Sequence, residues 1–237
     1  MLANLAGATA RIGALARDVQ LPSTSLDELL NFIACQLPHW RDRPERRQDR
    51  TAETDFTSEL SSHLSSAARF AGWDFLTFKL EAPDEVVRGR KIDLAATPCA
   101  ARVLVGERIY YDLNILLPIE CKRLPTPIEK NRDPREYVVS KFNTTGGMDR
   151  FKAGLHGAAH RLAGMIGYIE EHDCAHWHQA ITGWIDELGK KSPAWSARDH
   201  LEAKSADPKA RTATYASTHA RPNGLPDIEL RHLWVEM

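Results

Sequence analysis

The sequence predicts an α/β protein in which helices flank a central sheet, preceded by an N-terminal helical extension and closed by a C-terminal β-hairpin. Three observations predict it. Residues 51–67 carry an apolar stripe at helical spacing, three segments rich in aromatic and β-branched residues follow between positions 73 and 124, and two further strand-like segments end the chain. With 237 residues, 43% of them hydrophobic, the chain can bury one sizeable core, and no repeat or low-complexity tract divides it. The expected division is residues 1–50 as the helical extension and 51–237 as the main domain.

Taken in order, residues 1 to about 20 suit a small amphipathic helix. Ser25 and Glu28 form a capping box that opens a second helix through Leu29, Leu30, Phe32 and Ile33, expected to stop near Pro38. The stretch 41–50, RDRPERRQDR, interleaves five Arg with three acids around a Pro and reads as a solvated connector, with a phosphate-contacting patch as the other reading. From Thr51 a third helix places Glu53, Phe56, Leu60, Leu64 and Ala67 in one stripe, which puts a carboxylate on the core-facing side. The segments WDFLTFKLEAP, EVVRGRKIDLAATP and RIYYDLNILLPIECKRL then read as strands of one sheet, the last of them long. Residues 125–145 read as a loop. The periodicity of Met148, Phe151, Leu155, Leu162 and Ile166 predicts a long, glycine-containing helix after it. A further helix over about 176–188, a loose polar loop over 190–211, and the hairpin of TYASTHAR with IELRHLWVEM complete the chain.

Composition removes several functional classes. Lys plus Arg number 31 against 32 Asp plus Glu, so the net charge of -1 provides no global field for nucleic acid and any such binding must be local. Four widely spaced cysteines suit buried or half-buried reduced thiols and a cytoplasmic setting. No stretch approaches the roughly 20 apolar residues of a membrane-spanning helix, so no membrane partner is expected. The glycines of NTTGG and AGMIGY do not follow a strand as a phosphate loop does.

The chemistry concentrates in Pro118-Ile119-Glu120-Cys121-Lys122. Strand alternation puts Glu120 and Lys122 on one face and turns Ile119 and Cys121 to the core. Asp93, between Ile92 and Leu94 near the end of the preceding strand, joins them if the two strands are neighbours. Hard divalent cations such as Mg²⁺ favour oxygen donors and often keep only one or two protein carboxylates, a role open to Asp93 and Glu120 with the Cys121 main-chain carbonyl. Lys122 is placed to orient a metal-activated water or to stabilise charge developing at a phosphorus.

The order of helical Glu53, strand Asp93 and then Glu120-Cys121-Lys122 resembles the signature of the PD-(D/E)XK superfamily, the restriction-endonuclease-like nucleases, over residues 51 to 168. The resemblance implies a mixed sheet flanked by helices, Mg²⁺ or Mn²⁺ as cofactor, and Glu53, Asp93, Glu120 and Lys122 as catalytic set. The strings IECKRLP, REYV, GGMDRF, GMIGYI, SxHxR and HLW further resemble uncharacterised bacterial nucleases of restriction and phage defence. That likeness implies Arg150, Tyr137, Ser217, His219 and Arg221 near the substrate. The expected function is thus metal-dependent phosphodiester hydrolysis, acting on DNA in preference to RNA, with a regulatory partner or self-association restraining it. The alternative expectation is a nucleic-acid-binding or assembly subunit that keeps the fold without turnover.

Other residues compete for these roles. Glu59 lies about 240° around the helix from Glu53 and so away from the stripe. Asp112 is eight residues from Glu120 on one expected strand, about 26 Å away if extended. Glu81 reads as an extra ligand or, in preference, as a strand-end charge. His156 and His160 stand four apart on the expected helix without the general-base Glu of a zinc protease, and HDCAHWH lacks a second half at zinc spacing.

Overall fold

The structure, a computed structural model, describes residues 26–46, 52–105, 107–129, 132–140 and 146–237. The first expected helix, the Ser25 half of the capping box and part of the arginine-rich connector lie outside these residues. The described elements are α1 (Leu26–Arg41), α2 (Glu53–Phe70), β1 (Leu76–Pro83), β2 (Lys91–Pro98), β3 (Val103–Val105), β4 (Arg108–Tyr110), β5 (Leu117–Leu124), α3 (Gly147–Lys152), β6 (Leu162–Ile169), α4 (Cys174–Lys191), β7 (Glu202–Asp207), β8 (Thr212–His219) and β9 (Ile228–Glu236). Seven strands form one mixed sheet in the order β1-β2-β5-β6-β9-β8-β7, and β3 with β4 makes a separate small hairpin. The pairs β5-β6 and β6-β9 are parallel and the other pairs of the large sheet antiparallel.

Two apolar clusters show why the layers stack. One unites Leu29, Ile33, Leu37 and Trp40 of α1 and Leu60 and Leu64 of α2 with Ile119, Cys121, Ile166 and Leu233 of the sheet. The other unites Met148 and Phe151 of α3 and Trp177, Ile181 and Ile185 of α4 with Ala163, Met165 and Trp234. Helices therefore cover both faces, and the central strands lose the polar alternation that a half-exposed strand would keep. The part of the expected N-terminal extension that the structure describes, α1, packs into this same core. Its last residue, Arg41, is buried and donates to the carbonyls of Ala210 and Glu236.

The structure corrects six sequence expectations. The long helix over 148–172 is instead the six-residue α3, a loop and the strand β6. The reason is burial on both sides: β6 runs between parallel neighbours, and its two glycines permit their approach. A Cβ on Gly164 would lie 3.1 Å from Ile119, and one on Gly167 2.6 Å from the Trp234 ring. His156 and His160 are accordingly loop residues rather than a helical pair. The expected long strand 108–124 is broken, because Tyr111–Leu116 turns between β4 and β5, held by the Asn114 side chain accepting from the Tyr111 amide. Part of the loose loop over 190–211 is the edge strand β7, whose six residues are all exposed and so leave no hydrophobic pattern to read. Helix α1 continues past Pro38 to Arg41, and Cys35 sits exposed on it.

Candidate active site

The site grows from a parting of strands. The β2-β5 ladder pairs Ala96 with Leu117, Ala95 with Pro118 and Leu94 with Ile119. Beyond that last pair, the N–H groups of Cys121 and Arg123 point toward the edge that β2 no longer covers, and buried amides require acceptors. Two carboxylates provide them. Asp93, near the start of β2 rather than its end, accepts the Cys121 amide through Oδ2 at 3.0 Å. Glu53, the first residue of α2, accepts the Arg123 amide through Oε2 at 3.1 Å. The helical acid and the strand acid are thus fixed to the same short segment of β5.

Both then meet Lys122. Its Nζ lies 3.3 Å from Glu53 Oε1, 3.4 Å from Asp93 Oδ2 and 2.9 Å from Glu120 Oε1, and it donates to the Cys121 carbonyl at 2.9 Å. Glu120 has no exposed surface. Arg150 of α3 also donates to its Oε1, at 2.7 Å, while His156 Nδ1 stands 3.4 Å from its Oε2, where neither atom reaches hydrogen-bonding geometry. Burial alone would raise the Glu120 pKa, but Lys122, His156 and Arg150 outweigh it and hold the carboxyl down at about 2. Lys122 is correspondingly pushed well above the usual amine range, since Glu120, Asp93 and Glu53 outweigh its burial. Asp93 goes the other way: burial and then the Glu120 charge raise it to about 6.

Asp93 opens into a cavity of about 360 Å³ lined by Glu53, Thr54, Thr57, Leu80, Glu81 and Asp93. Glu81 takes a left-handed φ of 46° in β1, where the ladder steps from Leu80-Leu94 to Ala82-Ile92 and leaves Glu81 opposite Asp93. That conformation costs about 1 kcal/mol for a residue with a Cβ. It turns what reads in sequence as a strand-end charge into part of the cavity wall, where Glu81 ion-pairs with Lys91 at 2.5 Å.

All the acidic side chains and the carbonyl here are oxygen donors, as a hard divalent cation requires. Three carboxylates and no basic side chain line the cavity, and Glu120, whose buried Oε2 has no hydrogen-bond partner, is close enough for its charge to raise the Asp93 pKa. Among the described residues, no group of three or more His, Cys, Asp or Glu side chains forms a ready metal shell. A cation would therefore be held by Asp93, Glu120 and the Cys121 carbonyl with water completing the shell. Glu120 would meet it through Oε2, because Oε1 is engaged by Lys122 and Arg150.

The structure brings Glu53, Asp93, Glu120, Lys122 and Arg150 together, with Glu81 on the cavity wall and His156 beside Glu120, and leaves Glu59 and Asp112 elsewhere. Glu59 accepts from Arg46 at 3.3 Å on another side of α2. Asp112 lies in the Tyr111–Leu116 turn, its carbonyl accepting from Lys79. Tyr137, Ser217 and His219 are not at the cavity; they are buried, with His232 linking Tyr137 to Ser217 and Ser217 bonded directly to His219. Arg221 donates to the carbonyls of Gly157, His160 and Pro226. His156, which helical periodicity alone would put on a helix, instead approaches Glu120 from the loop after α3. The chain matches no family model, no curated protein and no solved structure.

A measurable consequence concerns Asp93 in metal-free protein. Its folded pKa of about 6 exceeds the ordinary carboxylate value, so the folded state holds the extra proton between about pH 4 and 6. Its contribution to stability is present below that window and lost as pH rises through 6. Asp93→Asn, which mimics the protonated form, is expected to be more stable than wild type at pH 7.5 by about 1–2 kcal/mol, a value discounted because the side chain keeps 30% of its surface in solvent. The advantage should vanish at pH 4. Urea unfolding of both proteins in EDTA at the two pH values checks this, and a variant less stable at pH 7.5 would refute the assigned shift.

Proposed function

We propose that the chain is a divalent-metal-dependent nuclease of the restriction-endonuclease-like kind, an endonuclease on DNA that acts in bacterial defence with Mg²⁺ or Mn²⁺ as cofactor. The observation that carries the reading is the meeting of Glu53, Asp93 and Glu120 at one lysine ammonium where β2 and β5 part. A mixed sheet with helices on both faces is compatible with it. Bound at Asp93, Glu120 and the Cys121 carbonyl, the metal would supply an activated water and charge neutralisation at phosphorus.

The chain's own residues would do the rest. Asp93, with 30% of its side chain exposed against none for Glu120, is the more open of the two proposed metal carboxylates. Lys122 supplies a fixed positive charge that can turn from its carboxylates to a non-bridging phosphate oxygen as negative charge develops there. Glu53 holds Lys122 and the main chain of Arg123 in place. Arg150 keeps Glu120 oriented and ionised.

One observation favours the second reading, a nucleic-acid-binding or assembly subunit without turnover: Glu120 is wholly buried with Oε1 bound twice. The test separates the two. Purified protein is incubated with labelled plasmid, single-stranded DNA and RNA in Mg²⁺, Mn²⁺ or EDTA. Cleavage of DNA that requires metal is expected. Binding without cleavage in any metal would overturn the nuclease reading in favour of the subunit.

A further inference from the structure

Away from the cavity, the residues of the final hairpin form a second polar construction. Ser217 on β8 pairs with Leu230 on β9, and His232, two residues further along β9, is its diagonal neighbour on the same face. Ser217 Oγ lies 2.8 Å from His232 Nε2 and 2.7 Å from His219 Nε2. His232 Nδ1 lies 2.8 Å from Tyr137 Oη, which also accepts from Trp234 Nε1 at 2.8 Å. At the other end, His219 Nδ1 lies 2.6 Å from Asp199 Oδ1, and the same oxygen accepts from Lys152 Nζ at 2.5 Å. Trp234, Tyr137, His232, Ser217, His219, Asp199 and Lys152 are all buried.

The proton count fixes the direction. The ionised Asp199 can only accept, so a neutral His219 donates to it from Nδ1 and accepts at Nε2. The same alternation carried back through Ser217 and a neutral His232 makes Tyr137 the donor to His232 Nδ1 and the acceptor from Trp234. His232 then carries hydrogen on Nε2 and donates to Ser217, Ser217 donates to His219 Nε2, and His219 donates from Nδ1 to Asp199. Every link has one donor and one acceptor with both imidazoles neutral and in opposite tautomers. Burial depresses the pKa of both histidines, in agreement. Ser217, His219 and Asp199 have the spacing of a nucleophilic triad. Here, however, the Ser217 oxygen also accepts from His232 and is buried, so its hydroxyl is consumed in holding structure.

What the chain holds is α3. At the start of that helix, the amides of Gly147, Met148 and Asp149 donate to the carbonyls of Glu136, Tyr137 and Val138. At its last residue, Lys152 binds Asp199. One hydrogen-bond chain therefore grips both ends of a six-residue helix, and from between the grips Arg150 reaches Glu120. We propose that the buried chain from Trp234 through Ser217 to Lys152 is a positioning device for the candidate active site, fixing α3 so that Arg150 stays on Glu120. The inference rests on the nuclease reading of Glu120 for its catalytic consequence, but not for its geometry.

The test uses Ser217→Ala, Ser217→Thr and Lys152→Gln in the full chain, with two readouts. The first is NMR: imidazole ¹⁵N spectra for the tautomers, and solvent exchange of the Arg150 guanidinium protons. In wild type, one histidine is expected with hydrogen on Nε2 and another with hydrogen on Nδ1, with slow Arg150 exchange. In Ser217→Ala and Lys152→Gln that exchange should accelerate at least several-fold, and Ser217→Thr, which keeps the hydroxyl, should restore it. The second readout is DNA cleavage. There kcat is expected to fall about 10- to 100-fold in the two disrupting variants, as for other groups that orient a metal-ligand side chain, with KM unchanged within about twofold. Should Ser217→Ala fail to fold, Lys152→Gln decides alone. Protected Arg150 protons in folded variants, or a charged imidazole in wild type, would overturn the proposal. A wild type that cleaves nothing would overturn the nuclease reading while the exchange data still decide the clamp.

Discussion

Lys122→Ala is expected to lower metal-dependent cleavage by at least about 10²–10³-fold, the scale seen when a preorganised charge donor is removed from an active site. The same substitution should destabilise the metal-free fold. Lys122 is 5% exposed in its side chain and serves as common counter-ion to Glu53, Asp93 and Glu120. Removing one partner of a buried ionic cluster costs about 3–5 kcal/mol because the remaining charges lose compensation. A divalent cation can restore it, so Mg²⁺ should recover more stability in Lys122→Ala than in wild type. Plasmid nicking and urea unfolding with and without Mg²⁺ check both parts. A folded Lys122→Ala that cuts at the wild-type rate would remove Lys122 from the mechanism.

Gly146→Ala is the second large effect. A Cβ at Gly146 would lie 2.3 Å from Val139 Cα, 2.5 Å from Val139 C and 2.7 Å from Ser140 N. All three are main-chain atoms, so no rotamer change relieves the overlap, and the expected cost reaches about 3 kcal/mol. The strain falls directly before α3, so Arg150 should shift from Glu120 and activity should fall with stability. Gly183→Ala provides the contrast: it lies within α4 with nothing within 4 Å of its Cβ, and helix propensity should make it stabilising by about 0.5–1 kcal/mol. Urea unfolding of both variants measures the difference. Equal stabilities would contradict the packing described around Gly146.

The acid-acid-lysine set was legible because it needs only chain order and strand parity: Cys121 and Ile119 turn into the core, as alternation requires, and Glu53 opens its helix on the correct side. The α2 stripe, α4 and the β8-β9 hairpin were legible for the same local reasons. What failed depends on neighbours that the sequence does not name. LAGMIGYI reads as helix until both sides are known to be covered by β5 and β9, after which its glycines are clearances for Ile119 and Trp234. Strand β7 carries no apolar residue pattern because every position faces solvent, so its partner β8 alone specifies it. Strand alternation places Glu120 on the face opposite Ile119 and Cys121 without saying what covers that face. Glu120 is buried because α3 and the following loop bring Arg150 and His156 over it, an arrangement invisible without the fold.

The acid-lined cavity beside Asp93 also dictates a sequence of arrivals. Glu53, Glu81 and Asp93 face it while their counter-ions Lys122, Arg132 and Lys91 lie outside its lining, so a polyanion approaching ahead of a cation would meet carboxylates first. A divalent cation entering first would offset two of those three charges at a single step. On the proposed nuclease reading, loading would then be ordered, ion before nucleic acid.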